Sequence, residues 1–226
     1  MNILLLGRGK TGSLVGTIAQ ERGHQIRMIG RSDNSHGQAL TVEALRGIDV
    51  VIDFTTPEAV MDNIEACVQA RANLLVGTTG WYQQIPRIRT LVEKNGTGFV
   101  YGANFSIGVN LFFEIARAAA PALKQGYAGR MIERHHIHKL DKPSGTAVAI
   151  NNTIHDAVGK TLEVESIREG EYCGDHILEF TSENDVIRLE HSAKSRRGFA
   201  SGAVRAAEWL NGKSGFYDFK EIFRQL

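Results

Sequence analysis

Cysteine is nearly absent. Cys67 and Cys173 are the only two among 226 residues, which leaves no disulfide framework and no CxxC pair and fits a reducing compartment. A charge imbalance is missing too: 26 Lys and Arg stand against 25 Asp and Glu, a net of +1, so nothing favours nucleic acid or an anionic membrane as partner. No apolar run is long enough to span a bilayer, because the stretch after Phe105 is interrupted by Asn110, Glu114 and Arg117. The apolar run at 2–6 meets a glycine turn too early for a signal peptide. These points predict a cytoplasmic protein. Repeats, linker tracts and low-complexity segments are lacking. So are an HExxH zinc motif and a GxSxG serine elbow. What remains is an ordinary globular composition, 42% hydrophobic and 23% charged, with 24 glycines. Many of these fall in loops where backbone must come close to something. The length suits one large domain or two small ones.

The first thirty residues read strand, glycine turn, helix, strand. An apolar run at 2–6 is followed by GRGKTG at 7–12, an amphipathic segment to about Arg22 ending at Gly23, and a second strand at 25–29. Gly7 permits the tight turn, Gly9 lets backbone meet a pyrophosphate, and Gly12 lets helix pack on strand. A GxGxxG placed directly between a strand and a helix points to a dinucleotide, with a mere tight turn as the bland alternative. After the second strand come Gly30, Arg31 and Ser32, where an NAD site usually has an acidic residue; Asp33 is the nearest. Arg31 and Ser32, with Lys10, suit the 2′-phosphate of NADPH, which is favoured over NADH without excluding it; a solvated loop charge at Arg31 is the alternative. A short helix is expected at 42–46, strands at 49–53, 74–76 and 98–101, a helix from Pro57 with Thr56 as N-cap, and another at 81–95. Gly77, Thr78 and Thr79 end the fourth strand, where backbone groups can meet a ribose or an amide. This alternation implies an α/β fold with a doubly wound parallel sheet of Rossmann type.

After Ser106 the rhythm changes. A long apolar helix is expected at 107–123, a strand at 130–138, a helix at 144–158, grouped strands at 162–168, 176–181 and 186–191, then a helix at 198–210 and a short tail. Strands grouped with fewer helices suggest a second, α+β domain with a mixed or antiparallel sheet. Between them lies ERHHIHKLDKPSGT at 133–146. It holds proton-transfer candidates in His135, His136 and Lys139, and an anion cradle where Ser144, Gly145 and Thr146 open a helix whose first N–H groups lack partners. Strand alternation puts His135 on one face, with Lys139 if the chain stays extended, and His136 and His138 on the other. That spreads the histidines over two faces and argues against a zinc site. Histidine suits proton transfer near neutral pH, lysine suits a developing anion, and beside a reduced nicotinamide the reaction class is hydride transfer with protonation. A polar strand-to-helix connection is the bland reading. Lys194, Arg196 and Arg197 form a second basic cluster, either a solvated loop or a clamp on a carboxylate.

The stretch at 133–146 resembles the signature E-x-H-H-x-x-K-x-D-x-P-S-G-T of the 4-hydroxy-tetrahydrodipicolinate reductase (dihydrodipicolinate reductase) family. DFTTP at 53–57, GTTG at 77–80, ANFSIGVN at 103–110, REG at 168–170 and GAVRAA at 202–207 support it. The resemblance covers nearly the whole chain. It implies His135 as proton donor and acceptor and His136 as a substrate ligand. It implies Lys139 as proton donor and carboxylate ligand, the Gly145–Thr146 pair as the ligand of a substrate carboxylate through the helix N-terminus, and Arg196 as a clamp on the other end. It implies nicotinamide-dinucleotide contacts at Gly7, Arg8, Gly9, Lys10, Thr11 and Gly12, at Gly77, Thr78 and Thr79, and at Gly102, Ala103, Asn104 and Phe105. It also implies a dinucleotide-binding domain at 1–105 and 198–226, a substrate-binding and tetramerisation domain at 106–197, hinges near Phe105 and Phe199, and a homotetramer. The implied reaction takes a small cyclic dicarboxylate, loses water, adds hydride from NADPH or NADH, and protonates the product in lysine and diaminopimelate synthesis. Another two-domain nicotinamide dehydrogenase of a small amino acid or semialdehyde is the rival enzyme. A non-catalytic NADP(H) sensor is the rival of another class, and it has no use for His135 and Lys139 beside an anion cradle.

Overall fold

A computed structural model describes residues 1–226 and divides them into two compact units, 1–106 with 199–226, and 107–198. In the first, β1 (Asn2–Leu6), α1 (Lys10–Glu21), β2 (Gln25–Ile29), β3 (Val50–Asp53), α2 (Pro57–Gln69), β4 (Leu74–Val76), α3 (Ile85–Asn95) and β5 (Gly98–Tyr101) alternate as the sequence predicts. β3 and β4 are buried at every position, as continuous apolar runs in a parallel sheet require. Two expectations fail. Residues 42–46 form turns, not a helix. Five residues stopped by Gly47 at φ +78° do not offset the cost of nucleating a helix, and Val42 is left exposed. The helix expected at 81–95 starts late, with a 3₁₀ turn at Tyr82–Gln84 before α3. Trp81 is pulled into the core instead, where its indole N–H donates to the Thr78 carbonyl at 2.9 Å.

The second unit holds α4 (Ile107–Ala119), β6 (Ala128–His135), α5 (Gly145–Val158), β7 (Glu163–Arg168), β8 (Asp175–Thr181) and β9 (Val186–Ser192). α4 gives way to a 3₁₀ turn at Ala120–Lys124, where Pro121 has no N–H to continue the helix. The sheet order is β7-β6-β8-β9, with β7 parallel to β6 and the other pairs antiparallel, so the sheet is mixed. Phe112 and Ala116 of α4 and Ala147, Ile150 and Ile154 of α5 pack with Met131, Leu178 and Phe180 of the sheet. Each large side chain buried there contributes about 1.5–3 kcal/mol. β6 ends at His135, three residues earlier than expected, because the chain turns: Lys139 N–H donates to the His136 carbonyl at 3.1 Å and His136 N–H to the Tyr172 carbonyl at 2.9 Å. His136, His138 and Lys139 therefore lie in a turn, and strand alternation does not set their faces.

From there α6 (Arg197–Leu210), β10 (Gly215–Asp218) and α7 (Phe219–Ile222) complete the chain. The expected tail is thus a strand: β10 pairs parallel with β5, and Phe216 stacks on Phe99 with ring centroids 5.0 Å apart. The first unit's sheet has the order β10-β5-β4-β3-β1-β2, all parallel. Strand order changes direction between β1 and β3, so the carboxyl ends of those two strands are where such a sheet receives a ligand.

Candidate active site

At that switch point the first unit has a cavity of about 220 Å³, lined among others by Gly7, Arg8, Gly30, Arg31, Phe54 and Thr55. Gly7 has φ +101°, and a Cβ there would stand 2.2 Å from the Phe54 carbonyl oxygen; a Cβ on Gly12 would meet the Gly7 oxygen at 2.2 Å. Any side chain at either position would push the turn open. Gly9 is different: a Cβ there meets nothing within 4 Å. It is the N-cap of α1, with no side-chain cap and no acidic residue in the first turn. Open space over an uncapped helix N-terminus fits a pyrophosphate. Lys10 is exposed and Thr11 half-buried as α1 begins. Arg31 is exposed on the cavity's lip. Asp33 does not reach a ribose position freely, since its carboxylate accepts from Gly30 N–H at 3.0 Å and pairs with Arg8 at 3.0 Å. The Gly30 N–H bond, with smaller help from Arg8, lowers its pKa.

The other cofactor candidates split into backbone and packing roles. Asp53 is fully buried at the end of β3, and its oxygens accept from Thr55 N–H (2.9 Å), the Thr55 hydroxyl (2.8 Å), the Thr78 hydroxyl (2.6 Å) and the Asn63 amide (2.8 Å). Burial pushes its carboxyl up against those four bonds. Thr78 is thus committed inward, joining the loop after β3 to the loop after β4, while Thr79 is exposed. Gly77 is glycine because a Cβ would lie 1.9 Å from the Phe54 ring, and Gly102 because one would lie 2.9 Å from Phe219 Cβ. The Phe105 ring is buried among Phe54, Phe199 and Phe219. Its side chain is core; Ala103 is exposed beside it and Asn104 accepts from Ser106 N–H at 2.8 Å.

In the second unit, the buried face of β6 reads Met131, Glu133, His135. An apolar core thus turns polar at one end of the sheet. Strand register sets Ser166, Glu133, His176 and His191 in one row across all four strands, and His135 opposite Arg168 in the next. Glu133 is fully buried. Its Oε1 accepts from Arg168 at 2.7 Å, and its Oε2 lies 2.6 Å from His135 Nδ1, at ion-pair distance but off the line of a hydrogen bond. Burial drives Glu133 upward, but hydrogen bonds from Arg168, Ser166 and Ser144 outweigh it and hold the carboxyl below its usual range. His135 is shifted down by burial, with Lys139 and Arg168 adding to the effect and Glu133 opposing it. His176 is pushed down to about 3, chiefly by burial and then by His135. It stays neutral and meets the Ser144 hydroxyl through Nε2 at 3.2 Å. Gly174, at φ +148°, keeps the other side of His135 clear: a Cβ would stand 2.9 Å from Nε2.

Ser144 is the N-cap of α5, its hydroxyl accepting from Ala147 N–H at 3.1 Å. The Lys142–Pro143 peptide just before it is cis. A Cβ on Gly145 meets nothing within 4 Å, so the helix N-terminus opens outward, with Thr146 half-buried beside it. Lys139 reaches this place through the turn after β6 rather than by strand extension, and its Nζ lies 2.7 Å from Asp141 Oδ1. His136 is half-buried with its ring 6.2 Å from that of His138. Arg196 is exposed in the loop between β9 and α6. The structure therefore brings together His135, Lys139, Ser144, Gly145 and Thr146, and adds Glu133, Arg168, His176 and Gly174, to which sequence reading gave no role. The available signal was a Glu on the otherwise apolar face of a strand. Glu133, His135 and His176 also bring one possible metal-ligand atom each within 4.8 Å of one another, but the Arg168 guanidinium already occupies Glu133 and opposes a cation there.

A Rossmann-type unit with an open, uncapped helix N-terminus after its glycine turn, joined in sequence to a unit carrying a buried acid–imidazole pair beside the open N-terminus of α5, fits the class of two-domain nucleotide-dependent oxidoreductases. The chain belongs to the dihydrodipicolinate reductase family: the family model for the N-terminus matches residues 1–105 and that for the C-terminus residues 108–223. It is 40% identical over 195 residues to the 4-hydroxy-tetrahydrodipicolinate reductase of Neisseria meningitidis serogroup B, covering 77% of this chain and 72% of that one. It is 35% identical over 240 residues to the reductase of the same name from Christiangramia forsetii, covering 100% and 99%. A dipicolinate-bound dihydrodipicolinate reductase from Paenisporosarcina sp. TG-14 has the same fold, with a TM-score of 0.79 at 22% identity over 98% of this chain and 99% of that one.

Proposed function

We propose that this protein reduces 4-hydroxy-2,3,4,5-tetrahydrodipicolinate to tetrahydrodipicolinate with loss of water, using NADPH or NADH, in lysine and diaminopimelate synthesis. The observation that carries the reading is His135 held beside buried Glu133, under the open N-terminus of α5 and within the field of Lys139. A bound reduced nicotinamide supplies the hydride. The chain's own residues do the rest. The Gly7–Gly12 turn and the first N–H groups of α1 hold the pyrophosphate, with Arg8, Lys10, Thr11 and Arg31 around it. Backbone groups of Gly77, Thr78, Thr79 and of Gly102, Ala103, Asn104 and Phe105 line the nicotinamide end. In the second unit, α5 offers Gly145 and Thr146 N–H groups to one substrate carboxylate, capped by Ser144, and Lys139 adds a cation to it. His136 and Arg196 hold the remainder of the ring. His135 exchanges the proton: its lowered pKa leaves the imidazole neutral at pH 7, and Glu133 stabilises the imidazolium that forms when a proton arrives.

We further read NADPH as the preferred donor. Arg8, Arg31 and Lys10 supply positive charge around the cavity; of the acidic groups nearby, Asp33 is engaged by Gly30 N–H and Arg8, and Glu58 is engaged chiefly by Thr56. The test is a coupled assay. NADPH should be oxidised only when dihydrodipicolinate synthase, pyruvate and aspartate semialdehyde are all present, and with a lower KM than NADH. No turnover with either donor removes the reductase reading; equal KM values remove the preference alone.

A further inference from the structure

The groups assigned to the substrate's carboxylate already hold a carboxylate of the protein. Asp141 Oδ1 lies 2.7 Å from Lys139 Nζ. Its carboxylate also faces the Gly145 backbone N–H at the start of α5, and these contacts, Lys139 foremost, lower its pKa, so it is charged at neutral pH. The residue is not loosely placed: its own carbonyl accepts from Arg168 Nη2 at 2.5 Å, and Arg168 is fixed in turn on Glu133 at 2.7 Å. The side chain itself is more than half exposed, so it is free to swing while its backbone stays anchored. Two anions cannot share one ammonium and one helix N-terminus without repulsion, and a side chain tethered four residues before Gly145 has a high local concentration there.

We propose that Asp141 is an internal competitor for the substrate-carboxylate subsite and so a specificity-determining residue. With the subsite otherwise unoccupied it screens Lys139 and the α5 N-terminus. A substrate carboxylate binds by displacing it, and a weakly held anion does not. This rests on the dicarboxylate reading above, and the test separates the two. Dipicolinate binding is measured by calorimetry on the full chain with reduced nicotinamide dinucleotide at saturation, for the wild type, Asp141→Asn and Asp141→Ala. Because an exposed ion pair is weak, both variants should bind dipicolinate about two- to fivefold more tightly than the wild type, with dinucleotide affinity unchanged. In a Lys139→Met background, adding Asp141→Asn should change dipicolinate affinity by less than it does alone. Unchanged or weaker dipicolinate binding in both single variants overturns the role of Asp141 and leaves the dicarboxylate site standing. No dipicolinate binding by the wild type overturns the site and this proposal together.

Discussion

His135 is held by contrasts within a few ångströms. Burial removes water from its ring, Glu133 draws a proton toward Nδ1, and Lys139 and Arg168 repel one. Burial prevails, so the pKa lies below the ordinary histidine value, and the neutral ring stands beside a carboxylate that can stabilise its charged form. His135→Gln keeps a polar side chain but removes the titration. It should lower turnover about 10²-fold or more while dinucleotide affinity is retained, because the residues proposed to hold the dinucleotide belong to the other unit. Steady-state turnover and fluorescence titration with NADPH read the two separately; an equal loss of both would make His135 a structural residue. His135 itself was legible in the sequence because it stands in the 133–146 stretch. Its support was not. Arg168 and His176 lie 33 and 41 positions along the chain and meet it only through strand register. Nothing local to Gly174 shows that a histidine ring will press against it.

Element by element, sequence periodicity located nearly every strand and helix, and failed where tertiary contacts overrule local pattern. β10 has only four residues and is a strand because β5 offers it an edge. β6 stops at His135 because the following backbone N–H groups find partners at Tyr172 and Gly170 instead of a neighbouring strand. α5 was the better case, since Ser144 at its N-cap and Gly159 at its left-handed C-terminus are local signals that the structure uses. The cap also ties the helix to the site, because the same hydroxyl meets His176 and helps keep Glu133 charged. Ser144→Ala should therefore cost about 1 kcal/mol for the cap, and more if His176 is left unpaired. Chemical denaturation followed by circular dichroism checks this. A variant as stable as the wild type would mean the hydroxyl's bonds are replaced by water and the cap does not organise the helix.

For the whole molecule, the buried imidazoles give stability a pH dependence of definite sign. His135 and His176 both have folded pKa values below the ordinary histidine value, His176 at about 3. Between the unfolded pKa near 6.5 and the folded one, the unfolded chain binds the extra protons. Stability is then complete above about pH 6.5 and is lost as pH falls below it, by up to about 1.4 kcal/mol per pH unit for each group. Carboxylates with lowered pKa, such as Glu133 and Glu208, add a loss of the same sign only in more acid solution, below their unfolded values. Asp53 works the other way, since burial raises its pKa and its proton is taken up earlier in the folded state. The histidine contribution from pH 6.5 to 5 is therefore read from the difference between the wild type and a histidine variant, in which Asp53 is common to both. Both tryptophans, Trp81 and Trp209, lie in the first unit and both of these histidines in the second. Urea unfolding followed by circular dichroism should show a transition whose midpoint falls between pH 7 and pH 5, and His176→Asn should shrink that fall. Tryptophan fluorescence shows whether the first unit follows or unfolds separately. A midpoint whose pH dependence is the same in the wild type and His176→Asn would mean that His176 is not held neutral in the fold, and with it would go the account of a dry, polar end to the second unit's core.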